Sequence, residues 1–182
     1  MWEIKSKKEL LQLPHSDSIS ACAFSPGGKT IVTGSGNILF FWDVKTGEKL
    51  RELEGHTGTI RCCSFSNDGK RLISGSDDGT ARIWDIEPGR ELIQLIGHTG
   101  PVTACAFSMD GTKVVTGSED TTLKVWETST AEEITTFSNH DQAIIQCEFY
   151  PDGRTVCSSA RDNTIQVWDA STGYLKALYR EP

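Results

Sequence analysis

Histidine, hydroxyl and carboxylate side chains recur along this chain in a fixed order. His56 is followed by Ser74 and Asp78, His98 by Thr116 and Asp120, and His140 by Ser158 and Asp162, at intervals of 18 and 22 residues each time. These groups are the parts of a hydrolytic triad, in which imidazole takes a proton from the hydroxyl and a carboxylate orients the imidazole. Buried and mutually bonded, the same groups form a network that does no chemistry. Three equivalent copies would mean three active sites in one chain, and no Gly-x-Ser-x-Gly nucleophile elbow occurs. No catalytic residue is therefore assigned.

The six cysteines are the other candidate chemistry. Cys22, Cys63, Cys105 and Cys147 each fall seven residues after a histidine, at His15, His56, His98 and His140. They are one structural position copied four times, and equivalent positions in successive repeats do not converge on one metal ion unless they face the channel. Cys62 and Cys157 stand where the third copy has Ala104 and Val115, both apolar strand positions. Without paired Cys-x-x-Cys motifs, all six read as small buried hydrophobes, so no metal site and no cofactor are expected.

What positions these residues is a repeat. The histidines lie 41, 42 and 42 residues apart, and Trp42, Trp84, Trp126 and Trp168 are each separated by 42. A period in that range signals a propeller or solenoid. The most regular unit, Gly55 to Ile96, holds four short apolar runs, at Ile60 to Phe65, Arg71 to Ser74, Thr80 to Trp84 and Glu91 to Ile96. None is long enough for an ordinary helix, and Asp68-Gly69 and Asp78-Gly79 supply the positive φ of tight hairpin turns. Each unit therefore reads as four antiparallel strands, and the chain as all-β.

The Gly-His start, the Asp before the third strand and the Trp-Asp end resemble the Trp-Asp (WD) repeat family of β-propellers. The resemblance covers nearly the whole chain. It implies four tandem four-stranded blades plus an extra N-terminal strand, with residues 1–13 as the tail of a preceding blade and repeats over 14–54, 55–96, 97–138 and 139–182. It also implies a structural tetrad in three copies: His56, Ser74, Asp78 and Trp84; His98, Thr116, Asp120 and Trp126; His140, Ser158, Asp162 and Trp168. In such a tetrad Asp accepts a proton from His, His bonds the hydroxyl, and the hydroxyl bonds the indole N–H. The first copy departs most: Pro14 replaces the Gly before His15, Gly27-Gly28 replaces Asp-Gly, and one residue is missing around Ser35-Gly36-Asn37, with no Asp before the third strand. Glu127 replaces the final Asp of the third copy, and the fourth reads Ser158-Ser159-Ala160-Arg161-Asp162. Trp2-Glu3-Ile4-Lys5 parallels Trp42-Asp43-Val44-Lys45, so the chain opens at the tail of a third strand, with a fourth expected over Glu9 to Leu13.

At 182 residues and 37% apolar, the chain can bury a sizeable core. Its net charge of −7 argues against nucleic acid and against anionic membrane as partners. No run approaches the roughly 18 apolar residues of a membrane helix, and the N-terminus does not read as a signal peptide. The expected location is intracellular, cytoplasmic or nuclear.

Function is expected where the copies differ and the framework does not. Five residues after each His the copies read Ser20, Arg61, Thr103 and Ile145; just before each tetrad Asp they read Asp77, Glu119 and Arg161. In propellers that the chain resembles, these positions line the top face around the central channel, flanked here by Thr59, Pro101 and Ala143. The mixed charge suits an extended peptide or protein surface, which makes the chain a non-catalytic interaction scaffold. The alternative is a fragment or short isoform of a longer propeller without independent activity; a nucleic-acid module or a hydrolase ranks below both. Four copies also pose a problem of closure, with three solutions: a homodimer forming an eight-bladed ring, four blades closing alone, or membership of a longer propeller.

Overall fold

The structure is a computed structural model and describes residues 2–3, 8–9 and 11–180. Each apolar run ends at a turn that reverses the chain, so consecutive strands pair as hairpins. The first blade comprises β3 (Ile19–Phe24), β4 (Thr30–Ser35), β5 (Ile38–Asp43) and β6 (Lys49–Leu53). The second comprises β7 (Ile60–Phe65), β8 (Arg71–Ser76), β9 (Thr80–Asp85) and β10 (Arg90–Ile96). The third holds β11 (Val102–Phe107), β12 (Lys113–Ser118), β13 (Leu123–Glu127) and β14 (Glu133–Phe137), and the fourth β15 (Ile144–Phe149), β16 (Thr155–Ala160), β17 (Thr164–Asp169) and β18 (Leu175–Arg180). Every blade is an antiparallel sheet in chain order. Among the described residues no helix is long and apolar enough to cross a membrane.

Turn residues explain the register. Gly69 and Gly79 both take positive φ, at 69° and 79°. In the third and fourth blades the position of Gly79 is held by Thr121 and Asn163, also at positive φ. Asn adopts that conformation at little cost, whereas a β-branched Thr is strained there.

Ahead of the blades, β1 (Trp2–Glu3) pairs with β2 (Lys8–Glu9). The fourth strand expected over Glu9 to Leu13 is cut short: residues 11–13 lie outside any strand. Leu11 instead lies against Gly47, and the Leu13 carbonyl turns to His15. Ile4 and Lys5 of the expected third-strand tail lie outside the described residues.

The core sits between blades rather than within them. Val32, Leu39, Phe41 and Leu53 of the first blade pack on Ile60, Leu72 and Trp84 of the second. Ile73, Ile83 and Leu95 then meet Val102, Val114 and Trp126, and Val115, Val125 and Phe137 meet Ile144, Val156 and Trp168. Burying one such side chain is worth about 1.5–3 kcal/mol, so these joints hold the arc together. Among the described residues no cluster joins the fourth blade to the first, and the arc stays open.

That opening corrects the expectation of six buried thiols. Cys147 is buried, Cys62, Cys63, Cys105 and Cys157 are half-buried, and Cys22 is exposed. Cys22 occupies the same position on the flank of the first blade, where no preceding blade covers it among the described residues.

Candidate functional site

The recurring polar residues meet inside each blade. Trp84 Nε1 donates to Ser74 Oγ at 2.8 Å, Ser74 Oγ lies 2.8 Å from His56 Nε2, and His56 Nδ1 lies 2.8 Å from Asp78 Oδ2. The third blade repeats this through Trp126, Thr116, His98 and Asp120, at 2.9, 2.8 and 2.9 Å. The fourth repeats it through Trp168, Ser158, His140 and Asp162, at 2.9, 2.8 and 2.8 Å. A carboxylate only accepts, so each Nδ1 carries the proton and each hydroxyl donates to Nε2.

Every carboxylate in the series is saturated. Asp78 also accepts from the Thr80 hydroxyl and N–H, at 2.6 and 2.9 Å, and from the Thr57 N–H at 3.0 Å. Burial alone would raise its pKa, but the hydrogen bonds from Thr80, His56 and Thr57 outweigh it and hold the carboxyl well below the usual range. Asp120 is lowered in the same way, and Asp162 lies at about 2. Burial lowers the pKa of His56 despite its hydrogen bond to Asp78, which favours neutral imidazole. Ser74, Thr116 and Ser158 are almost wholly buried between indole and imidazole, where no substrate reaches them. These groups cannot act as nucleophiles.

The first blade builds a shorter version that the sequence did not reveal. Trp42 Nε1 donates to Thr33 Oγ1 at 2.9 Å, and Thr33 Oγ1 lies 2.8 Å from His15 Nε2. His15 Nδ1 then donates to the backbone carbonyl of Leu13 at 2.9 Å. A carbonyl close in sequence does the accepting that Asp does elsewhere.

The variable residues sit at a defined irregularity. In every blade the pairing of first and second strands shifts by one residue, between Ile19 and Ala21, Ile60 and Cys62, Val102 and Ala104, and Ile144 and Gln146. The skipped residues are Ser20, Arg61, Thr103 and Ile145. A bulge of this kind re-aims its extra side chain away from the regular faces of the sheet. All four line one cavity of about 350 Å³ between the inner strands. The sequence carried no cue to the bulge beyond variability at a fixed distance from His.

Their chemistry differs blade by blade. The Ser20 hydroxyl donates to the Ile60 carbonyl of the next blade, and the Thr103 hydroxyl to the Ile144 carbonyl at 2.7 Å. Both therefore tie neighbouring blades together. Arg61 makes a forked ion pair with Asp77, at 2.6 and 2.9 Å, and that pairing, with Glu119 adding a little, raises its pKa. Ile145 is 54% exposed. Arg61, Glu119 and Arg161 are exposed, while Thr59 is half-buried. The carbonyls of Thr59, Pro101 and Ala143 each accept from the N–H of Asp77, Glu119 and Arg161 at 2.9 Å, which pins the rim loops in place.

Among the described residues no group of three or more His, Cys, Asp or Glu side chains is arranged to hold a metal ion. The family model described as WD domain, G-beta repeat matches the chain four times, over residues 7–43, 47–85, 89–127 and 131–169. Each match closes on the residue after a repeat tryptophan. One curated relative, described as the probable serine/threonine-protein kinase PkwA of Thermomonospora curvata, is 53% identical over 38 residues. That similarity covers 20% of this chain and only 5% of that protein.

Proposed function

The chain belongs to the WD-repeat family, and from that premise we propose that it is a non-catalytic scaffold whose top rim binds an extended peptide or a protein surface. The carrying observation is the division of labour along each first strand. Histidines are bonded into the blades, while the bulge beside each of them presents a different side chain to one shared cavity. Arg61, Asp77, Glu119, Arg161 and Ile145 supply both signs of charge and an exposed apolar contact. Ser20 and Thr103 shape the rim as ties between blades, and Thr59 anchors the loop that carries Asp77. The net charge of −7 weighs against nucleic acid. The kinase of the bacterial relative's name has no bearing, because the match is one repeat long.

A display library of extended peptides, panned on the chain and counter-selected on the double variant Arg61→Ala with Glu119→Ala, tests this reading. Enriched peptides should bind saturably and lose about tenfold or more in affinity, close to 1.4 kcal/mol, on the variant. The variant's melting temperature should stay unchanged. Peptides that bind both proteins equally would refute the rim.

A second reading is favoured by the open flanks, where Phe24 and Tyr179 are 57% and 60% exposed. In that reading the four blades belong to a longer ring and have no activity alone. Soluble aggregate rather than a discrete species in light scattering would support it.

A further inference from the structure

At each internal joint, a glycine in the second strand receives a β-branched side chain from the next blade. A Cβ placed on Gly34 would stand 3.1 Å from the Cβ of Ile60, one on Gly75 3.0 Å from that of Val102, and one on Gly117 3.0 Å from that of Ile144. A Cβ is fixed to the backbone, so these neighbours cannot swing aside, and only glycine lets the blades close. The residue paired with each glycine is small as well: Ala21, Cys62 or Ala104.

The fourth blade breaks this pattern at every point. Ser159 stands in the glycine position, and its pairing partner is Gln146. Glu148, next on the same face, replaces Ala106 of the third blade. Glu148 is exposed on this flank, and partial burial raises its pKa. Two depressions of about 220 and 370 Å³ that share Ser159 and Ile165 lie on this flank, the first lined also by Gln146 and Glu148 and the second by Tyr179. At the other end of the arc Ile19 is the uncovered counterpart of Ile60, Val102 and Ile144: it is 50% exposed, and they are at most 1% exposed.

We infer that the free flank of the fourth blade rejects this chain's own first blade and fits a partner sheet with glycine or alanine in the place of Ile19 and a lysine or arginine facing Glu148. The eight-bladed ring of two copies would need Ile19 seated on Ser159, where the serine Cβ occupies the space a glycine leaves. The polar flank thus acts as a stop against addition of a second copy's first blade. Gln146 and Glu148 also line the cavity of the bulge residues, but the test below reads association through Ile19 and not peptide binding.

The test rewrites the first blade instead of searching for the partner. Light scattering should give the same mass for the unaltered chain and for Ile19→Arg, because no Ile19-dependent oligomer forms. The double variant Ile19→Gly with Phe24→Lys, checked for folding by its circular dichroism, should self-associate. Phe24 is chosen because its counterpart Phe149 shares a cluster with Ala106, the residue Glu148 replaces. Adding Glu148→Gln should weaken that association about tenfold or more. Should the double variant not fold, Ser159→Gly with Gln146→Ala and Glu148→Ala reopens the seat from the other side, and that chain should associate through Ile19. A heavier mass for the unaltered chain than for Ile19→Arg would overturn the inference, as would a folded variant of either kind that stays monomeric.

Discussion

The first and third blades carry the same indole, hydroxyl and imidazole, yet close their networks differently. In both, tryptophan reaches threonine at 2.9 Å and threonine reaches histidine at 2.8 Å. The third blade ends on Asp120, which also gathers the Thr99 and Thr122 N–H groups at 2.9 Å each. The first ends on the Leu13 carbonyl, because its turn is one residue shorter and contains no aspartate. The fold therefore requires an acceptor for the buried Nδ1 proton and does not require a carboxylate. What the carboxylate adds is a tie between two loops.

The largest expected effect breaks that tie. Asp120→Ala should cost about 2–4 kcal/mol in urea unfolding, since it orphans His98 and two backbone N–H groups at once. A cost below about 0.5 kcal/mol, the range of ordinary surface changes, would place the third blade's network on a par with a solvated loop. The next effect compares joints with the free flank. Gly117→Ala should cost about 1–3 kcal/mol by driving a methyl into Ile144. Ser159→Ala, at the equivalent site of the uncovered flank, should change stability by no more than about 0.5 kcal/mol. Equal costs would mean that the two flanks do not differ as described.

The third effect is a dependence on pH. The unfolded chain takes a proton on His56 near 6.5, whereas burial keeps the folded imidazole neutral to lower pH. The unfolded state then binds more protons, so stability should fall as pH drops below 6.5. A second loss should follow below 3.8, where Asp78, Asp120 and Asp162 protonate in the unfolded chain but stay charged in the folded one. The share of Asp162 drains away from 3.8 downwards and is gone below about pH 2. The first blade has no carboxylate bonded to its histidine, and Asp43, which is lowered there, only caps the exposed turn at Lys45 and Thr46. Amide exchange corrected for intrinsic rate should therefore speed up in Arg71–Ser76 before Thr30–Ser35 on acidification. Simultaneous loss in both strands would remove this distinction between the blades.

Much of this architecture was legible because it repeats. Alternating apolar runs and Asp-Gly turns located the strands, and four copies in register pointed to blades. The Leu13 carbonyl was not legible, since any backbone can accept a hydrogen bond and no residue type marks the one that does. The joining role of Ser20 and Thr103 was hidden too, because it depends on a one-residue slip in pairing that leaves no compositional trace. Cys22 showed the same limit from the other side. Its sequence position matches three covered cysteines, and only the absence of a neighbouring blade makes it exposed.

The central claim is that the recurring histidines are framework, each with its Nδ1 proton held by a fixed acceptor. Long-range proton–nitrogen correlation spectra of the four imidazoles, recorded at mildly alkaline pH, test it most directly. The geometry predicts the Nδ1–H tautomer at His15, His56, His98 and His140, with slowly exchanging ring protons at the three bonded to aspartate. An Nε2–H tautomer, or fast exchange at any of those three, would contradict the account.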